Sequence, residues 1–367
     1  MDDPNPKIPL FIPLIQSCFW GKSEFIKEEF CLLFLSCLDF QIPRLQETAM
    51  ATIALKEVDK VEILTLQDNY IDLAALDGNE VVQRAMPLSG FEFRNSISAE
   101  HGFAALVSIT EGESVRTVLF DFGFSKNGAY ENAKALNADL SSVEMIALSH
   151  GHTDHTGGFK SLVGAIGKSG IPMLAHPAAF RENRVIKISE EFKITLPMLL
   201  KEEIAAADVA LVETSDPYPM LDGALYFLGE IPRNTEFEKG AASFCYQEDG
   251  AEQWDAINDD TSLVANVKGK GLVILSGCAH AGIVNTVNYA KKITGIEQLY
   301  VVMGGFHLTG VEFAETIKPT AEALKELNPY YVVPTHCTGR HAGIKIQEQM
   351  PEQYLLNMSG TRMVFVK

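Results

Sequence analysis

The sequence lacks an apolar run long enough to cross a membrane. A spanning helix needs about 20 consecutive apolar residues, and the stretch FCLLFLSCL, residues 30–38, has only about half that length. The acidic residues Glu28 and Glu29 precede this stretch, whereas a secretory signal begins with a basic segment. The sequence therefore predicts neither a membrane-spanning helix nor a secretory signal.

Positive charge is also scarce. The chain has 30 Lys and Arg residues against 48 Asp and Glu residues, which gives a net charge of −18. An acidic protein repels a phosphate backbone, so nucleic-acid binding is not expected, although a local basic pocket for a small phosphorylated substrate stays compatible with this charge. The six cysteines lack the spacing of a disulfide framework, which predicts reduced thiols and a cytoplasmic protein.

Residues 1–49 differ in composition from the rest of the chain. They contain three of the six cysteines and, within the first thirteen residues, four prolines. We predict an N-terminal extension over residues 1–49 and one catalytic domain over residues 50–367. Two alternatives stay open for the extension. It is either foreign to the native protein, with Met50 as the natural start, or a helical segment packed on the domain.

Hydrophobic patterns after Met50 predict strands that alternate with helices. The buried strand Val143–Ser149 runs directly into a histidine-rich loop. Further strands are expected over Val61–Leu66, Ala104–Ile109, Ser114–Phe120, Ile171–Ala175, Leu225–Leu228, Ser262–Val267, Gly271–Leu275, Leu299–Met303, Tyr330–Val333 and Thr361–Val366, and helices over Gly157–Ile166, Ile283–Ile293 and Thr316–Leu327. This order predicts a mixed sheet system covered by helices.

The histidine-rich loop carries His150, His152, Asp154 and His155 in the pattern His-x-His-x-Asp-His. Residues i and i+2 of an extended segment project the same way, so His150 and His152 can bind one metal ion. Asp154 and His155 follow a bend and can face a second ion. Imidazole and carboxylate ligands suit zinc, iron or manganese. A histidine-rich surface loop is the alternative, and the preceding buried strand argues against it.

The histidine motif resembles the signature of the metallo-β-lactamase superfamily. The segment LFDFG (119–123) resembles the motif that precedes it in this superfamily. Further segments, in chain order, resemble the branch named for 7,8-dihydropterin-6-ylmethyl-4-(β-D-ribofuranosyl)aminobenzene 5′-phosphate synthase. They are AEHGF (99–103), GEIPR (229–233), DDTSLV (259–264), SGCAHAGIVNT (276–286), GGFHL (304–308) and PTHCTG (334–339). The resemblance covers residues 58–367. It implies an α+β fold, an αββα four-layer sandwich of two mixed β-sheets flanked by helices. It also implies two divalent metal ions, with zinc as the default and iron or manganese as alternatives.

The resemblance also assigns ligands. It places His150 and His152 on the first metal, and Asp154 and His155 on the second, which His336 completes. Asp154 is in addition expected to be essential for catalysis. The resemblance gives Asp121, in LFDFG, the role of bracing the metal loop without binding an ion.

The bridging ligand, usually an aspartate, is replaced here by Cys278, with His280 two residues later. Both are expected to bind metal, because thiolate and imidazole are good zinc ligands. The alternatives are a buried structural thiol for Cys278 and a hydrogen-bonding partner of the ligands for His280. The superfamily's Pro-Gly-His turn is missing, and either His280 or Asp260 is expected to take over its role.

Substrate contacts are expected from residues outside the metal loop. His307 in GGFHL is expected to contact substrate or transfer a proton, with a packed structural role as its alternative. Arg233 and Arg340 can clamp phosphate oxygens with two hydrogen bonds each, unless they are ordinary surface arginines. His176 is expected in the pocket wall, and for His101 a functional and a structural role stay equally open.

Three functions fit these residues. A metal pair activates water and neutralises developing charge, so hydrolysis of a small phosphorylated or ester substrate is the main prediction. The first alternative is the condensation for which the branch is named, in which an aminobenzene ring carbon or nitrogen displaces pyrophosphate from a dihydropterin methyl carbon. The second is a non-catalytic sensor of metal or of a small ligand. The sequence does not determine the oligomeric state.

Overall fold

The computed structural model describes residues 52–89, 91–93 and 96–367. The predicted N-terminal extension lies outside the described residues. Met50–Lys367 forms one unit by its internal contacts. Among the described residues, no helix combines the length and the apolar character that crossing a membrane requires.

The first large sheet has eight strands. In spatial order they are β12 (Val209–Glu213), β9 (Ile171–Ala175), β8 (Val143–Ala147), β7 (Ser114–Phe120), β6 (Ala104–Glu111), β2 (Lys60–Gln67), β21 (Arg362–Val366) and β3 (Val82–Gln83). Strands β7, β8, β9 and β12 run parallel, whereas β2, β6 and β7 form an antiparallel meander. The carboxyl ends of β7 and β8 therefore meet at one edge, which is where the histidine-rich loop begins.

The second large sheet has seven strands. In spatial order they are β13 (Tyr218–Met220), β14 (Leu225–Phe227), β17 (Ser262–Val267), β18 (Gly271–Ser276), β19 (Leu299–Gly305) and β20 (Tyr331–Thr335), and β1 (Glu57–Val58) pairs with β17. Strands β18, β19 and β20 are parallel neighbours. Their carboxyl ends lead directly into the segments that carry Cys278, His307 and His336.

Two smaller sheets were not predicted from the sequence. One has four antiparallel strands in the order β11 (Lys193–Thr195), β10 (Arg184–Lys187), β15 (Phe244–Glu248) and β16 (Ala251–Trp254). The other is the ribbon of β4 (Leu88–Ser89) and β5 (Glu92–Phe93). These strands are two to five residues long, which is too short for a clear alternation of apolar residues.

Seven helices are present in the described part of the chain. They are α1 (Gly128–Ala135), α2 (Thr153–Thr156), α3 (Phe159–Ile166), α4 (Lys201–Ala206), α5 (Ile283–Thr294), α6 (Ala314–Leu327) and α7 (Arg340–Gln349). The predicted helix over Gly157–Ile166 is in fact α3 alone, with the short α2 before it. The N-terminus of α5 is capped from a distance, since the Glu238 carboxylate accepts hydrogen bonds from the amides of Val284 and Asn285, both at 2.9 Å.

Three apolar clusters arrange these elements in layers. One cluster joins the facing sides of the two large sheets, for example Phe120 of the first and Met303 of the second. A second cluster packs α5, α6 and α7 on the outer face of the second sheet. A third packs α1, α3 and α4 on the outer face of the first sheet. The predicted αββα sandwich is confirmed.

The clusters described are built from residues between Ile53 and Phe365. We therefore expect a variant that begins at Met50 to keep the melting temperature and the activity of the full chain, because burial of this apolar surface is the main source of stability. Thermal denaturation and activity measured side by side test this. An insoluble or inactive variant would show that residues 1–49 belong to the catalytic domain.

Candidate metal centre

The histidine-rich loop starts where β8 ends and turns into α2. His150, His152 and His155 are all buried, so their ring nitrogens cannot rely on bulk water. The loop passes so close to Ala179 that a Cβ on Gly151 would lie 1.9 Å from the Ala179 carbonyl oxygen. Only glycine fits at this position, which explains why Gly151 separates the first two histidines of the motif.

The first donor group combines two overlapping sets of side chains that share His150. Its ligand atoms lie within 4.8 Å of those of His152 and Asp154, and also within 4.8 Å of those of Cys278 and His280. Among the described residues, the buried Nε2 atoms of His150, His152 and His280 have no hydrogen-bond partner. Burial lowers the pKa of His152 to about 4 and holds the pKa values of His150 and His280 well below the usual range. The three imidazoles are therefore neutral, and their ring centroids lie 4.7–4.8 Å from one another.

A second donor group consists of Asp154, His155, Cys278 and His336, again with ligand atoms within 4.8 Å of one another. The Oδ2 of Asp154 lies 3.0 Å from Nε2 of His336 and 3.7 Å from Nε2 of His155. The sulfur of Cys278 lies 3.1 Å from Nε2 of His155. Cys278 belongs to both donor groups, which is the position of a bridging ligand.

These two groups fit metal ions on chemical grounds. A buried nitrogen without a partner costs free energy unless an ion or a donor satisfies it. Imidazole, carboxylate and thiolate together are the ligand set of zinc, and iron or manganese share part of it. Of the two candidates for the role of the missing turn, His280 shares a set of donors with His150 and Cys278. Asp260 accepts a hydrogen bond from the amide of Ala281 at 2.9 Å through Oδ2, whereas its buried Oδ1 has no partner among the described residues.

Comparisons with known proteins agree with this geometry. A family model described as the metallo-beta-lactamase superfamily matches residues 106–232. The chain is 33% identical over 301 residues to the 7,8-dihydropterin-6-methyl-4-(beta-D-ribofuranosyl)-aminobenzene-5'-phosphate synthase of Methanocaldococcus jannaschii, an alignment that covers 81% of this chain and 94% of that relative. This protein belongs to the metallo-β-lactamase superfamily. It is therefore an enzyme rather than a non-catalytic sensor.

Two further similarities extend this result. An uncharacterized protein of the same organism is 35% identical over 254 residues, which cover 68% of this chain and 88% of that protein. The crystal structure of Tm1679, described as a metal-dependent hydrolase of the beta-lactamase superfamily, has a TM-score of 0.61 at 24% identity and covers 84% of this chain and 100% of that one. At this identity, the solved structure supports the fold alone.

Asp121 is hydrogen bonded to the start of the histidine-rich loop, as its predicted bracing role requires. Its carboxylate accepts hydrogen bonds from the amide and the hydroxyl of Ser149, both at 2.7 Å, and lies 2.6 Å from Nδ1 of His155. Burial alone would lower the pKa of His155, but the carboxylates of Asp121 and Asp154 outweigh it and raise that pKa to about 9. The ring of His155 is thereby fixed with Nε2 toward the donor groups.

His336 is held by Asp68 and Asn69, which the sequence analysis missed. The backbone amide of His336 donates to Asp68 Oδ1 at 2.8 Å, and its Nδ1 lies 3.0 Å from Asn69 Oδ1. Both residues come directly after β2, and Asp68 precedes His336 by 268 positions. No local sequence pattern signals a contact over this distance.

The loop between the two predicted metal ligands His150 and His152 is held by a buried ion pair. The amide of Gly151 donates to Asp259 Oδ2 at 2.7 Å. Arg184 donates to both carboxylate oxygens of Asp259, and its Nε donates to Asp255 at 2.7 Å. Burial would raise the pKa of Asp259, but the Arg184 guanidinium holds it below its usual value.

Two predicted substrate residues, Arg233 and His176, have partners of their own. Arg233 donates to the carbonyl of His280 at 2.6 Å and to that of Ala256. His176 is buried, and its Nε2 lies 3.6 Å from Glu230. Among the described residues, neither belongs to a donor group.

Other histidines and Arg340 border the site. Arg340 is exposed and lines one cavity together with His336. His307 packs against His280, with ring centroids 4.0 Å apart. The sequence left the role of His101 open between function and structure. Its Nε2 lies 3.5 Å from Asp154 Oδ2. Phe244 was missed, and its ring stacks on His152 at 5.4 Å.

The Asp121 contacts generate a first prediction for metal binding. We expect Asp121→Asn to weaken metal affinity about 10- to 100-fold. Asparagine can still accept a hydrogen bond from Ser149, but it places no negative charge beside His155. Competition with a coloured chelator measures this affinity. The control is Asp249→Asn in the exposed turn between β15 and β16, which should bind as the parent does. Equal affinities of the two variants would contradict the bracing role.

The Arg184 ion pair generates a stability prediction. Arg184→Met should lower the free energy of unfolding by about 3–5 kcal/mol, because it leaves the buried Asp259 without its counter-charge. Arg116→Met is the matched control, since Arg116 forms partly exposed pairs with Glu144 and Asp222 that contribute less than about 1 kcal/mol. Urea unfolding at one fixed metal concentration compares the two. Losses of equal size would contradict this role for Arg184.

Proposed function

We propose that this enzyme condenses a dihydropterin with a β-ribofuranosylaminobenzene 5′-phosphate. The observation that carries the proposal is the 33% identity to the synthase of that name, which extends over 94% of that relative. Hydrolysis was the main prediction from the sequence, and the solved hydrolase-fold structure supports the fold alone. The condensation is therefore the better supported reaction of the two.

Two cavities border the proposed metal centre. One lies beside Phe244 and His307, which pack on His152 and His280, and the other lies at His336. One has a volume of about 680 Å³ and is lined by Phe244, His307 and Phe313, among others. The other has a volume of about 560 Å³ and is lined by His336 and Arg340, among others. Both volumes fall in the range of about 300–1,000 Å³ that is usual for small-molecule sites. Two separate approaches to one centre suit a reaction of two substrates.

The linings of the two cavities differ in chemistry. Phe244 and Phe313 give the first an aromatic wall next to His307, and flat heteroaromatic rings such as pterins stack well on such a wall. The second contains the exposed guanidinium of Arg340, which can bind a phosphate with two hydrogen bonds. We assign the pterin to the first cavity and the ribose phosphate to the second.

The condensation needs a leaving group to be stabilised and no water to be activated. A bond forms between the aminobenzene carbon or nitrogen and the methyl carbon of the pterin, and the bond from that methyl carbon to the pyrophosphate oxygen breaks. The reacting carbon or nitrogen loses its proton, which passes to the departing pyrophosphate or to solvent. Ions held by the two donor groups would neutralise charge on the departing pyrophosphate. The buried ligand side chains and the aromatic wall exclude water that would compete as nucleophile.

The proposal predicts a strict dependence on two substrates. The metal-loaded enzyme should release pyrophosphate and form the condensed product only when dihydropterin pyrophosphate and the ribosylaminobenzene phosphate are both present. Mass spectrometry of the product and a pyrophosphate assay measure this, with phosphodiesters and lactones tested in parallel. Pyrophosphate release without the aminobenzene substrate, or turnover of a phosphodiester or lactone, would support hydrolysis instead.

A variant ties this activity to the metal centre. Asp154→Ala should abolish turnover and keep the fold, since Asp154 contributes to both donor groups. Circular dichroism confirms the fold, and Asp249→Asn serves again as the control that should keep parental activity. Full activity of Asp154→Ala would contradict a metal-centred reaction.

A further inference from the structure

A third donor group lies beside the two that contain the histidine-rich loop. The sulfur atoms of Cys278 and Cys337 and one ring nitrogen of His307 all lie within 4.8 Å of one another. Among the described residues, Cys337 and His307 belong to neither of the other groups. We propose that Cys278, His307 and Cys337 form a third metal position, which takes a thiophilic divalent ion such as zinc.

The scaffold of this group is rigid. Its three residues follow the carboxyl ends of the parallel neighbours β18, β19 and β20, whose register pairs Ser276 with Gly304 and Gly305 with Thr335. His307 has a left-handed backbone with a φ of 40°. A residue other than glycine pays a free-energy cost for this conformation, and such strain collects at functional sites.

The backbone leaves space for the second sulfur. A Cβ on Gly305 would lie 2.5 Å from the sulfur of Cys337 and 3.1 Å from the Cα of Cys278, so any larger residue would push the two cysteines apart. Both cysteines are free and buried. The sulfur of Cys337 lies 3.5 Å from the carbonyl oxygen of Cys278 and also interacts with the side chains of Cys278 and His307.

The third member of the group has an unused nitrogen. Nδ1 of His307 is buried and has no hydrogen-bond partner among the described residues. The ring is fixed by its neighbours, with centroids 4.0 Å from His280 and 4.9 Å from Phe313. A buried nitrogen without a partner in a fixed ring is a ready metal ligand.

The donor chemistry separates this position from the other two. Two sulfurs and one nitrogen favour zinc or a softer ion, whereas the groups around His150 and Asp154 offer mainly nitrogen and carboxylate. Cys278 would be shared with those groups as a bridging thiolate. Three protein ligands leave a fourth coordination position open, and His307 also lines the aromatic cavity. The position does not depend on which reaction the enzyme catalyses.

Metal stoichiometry tests this proposal without an activity assay. The full-length chain with Cys18, Cys31 and Cys37 replaced by serine is loaded with Co²⁺ under anaerobic, reducing conditions. We expect three ions per chain and sulfur-to-cobalt charge-transfer absorption. Cys337→Ser should bind one ion fewer and lose part of that absorption. His307→Gln should also bind one ion fewer, and it provides a test if Cys337→Ser does not fold.

Cys245→Ser is the matched control. Cys245 is a free, buried thiol in β15 and lies outside the donor groups, so its removal should change neither the metal count nor the absorption. A parent that binds two ions would overturn the proposal. Variants of Cys337 and His307 that bind as many ions as the parent would overturn it equally.

Discussion

Four buried aspartates hold the loops that carry the proposed metal ligands. Asp68, Asp121, Asp259 and Asp260 each accept a hydrogen bond from a backbone amide of such a loop. Burying a carboxylate costs several kcal/mol unless donors or counter-charges compensate it. For Asp259, the amide of Gly151 and the Arg184 guanidinium compensate this cost, and the pKa stays below its usual value. Burial still raises the pKa of Asp68, and it raises that of Asp260 to about 6. A ligand set on long loops keeps a fixed geometry only with such support.

The same aspartates also influence the charge balance of the proposed metal centre. Burial keeps the pKa values of His150, His152 and His280 low, so the first donor group consists mostly of neutral nitrogens. Divalent ions placed there would be poorly compensated by their direct ligands alone. Asp259, whose pKa is held below its usual value, would supply negative charge behind these ligands without belonging to a donor group of the described residues.

The sequence predicts the features that depend on local spacing. The pattern from His150 to His155 placed four donors after a buried strand, and the structure brings them together. The pattern did not distinguish His280 from Asp260 as the residue that takes over the role of the missing turn, because spacing does not contain the direction of a loop. Asp68 reaches His336 across 268 residues, a contact that follows only from the order of strands in the fold. The short strands of the four-stranded sheet carry too few residues for a periodic signal.

The four-stranded sheet connects the aromatic cavity to the histidine-rich loop. Strand β15 carries Phe244, whose ring packs against His152 and His280. The neighbouring strand β10 carries Arg184, whose ion pair with Asp259 supports the histidine-rich loop through the amide of Gly151. A substitution in this sheet would therefore affect the cavity wall and the loop together, because two neighbouring strands support both.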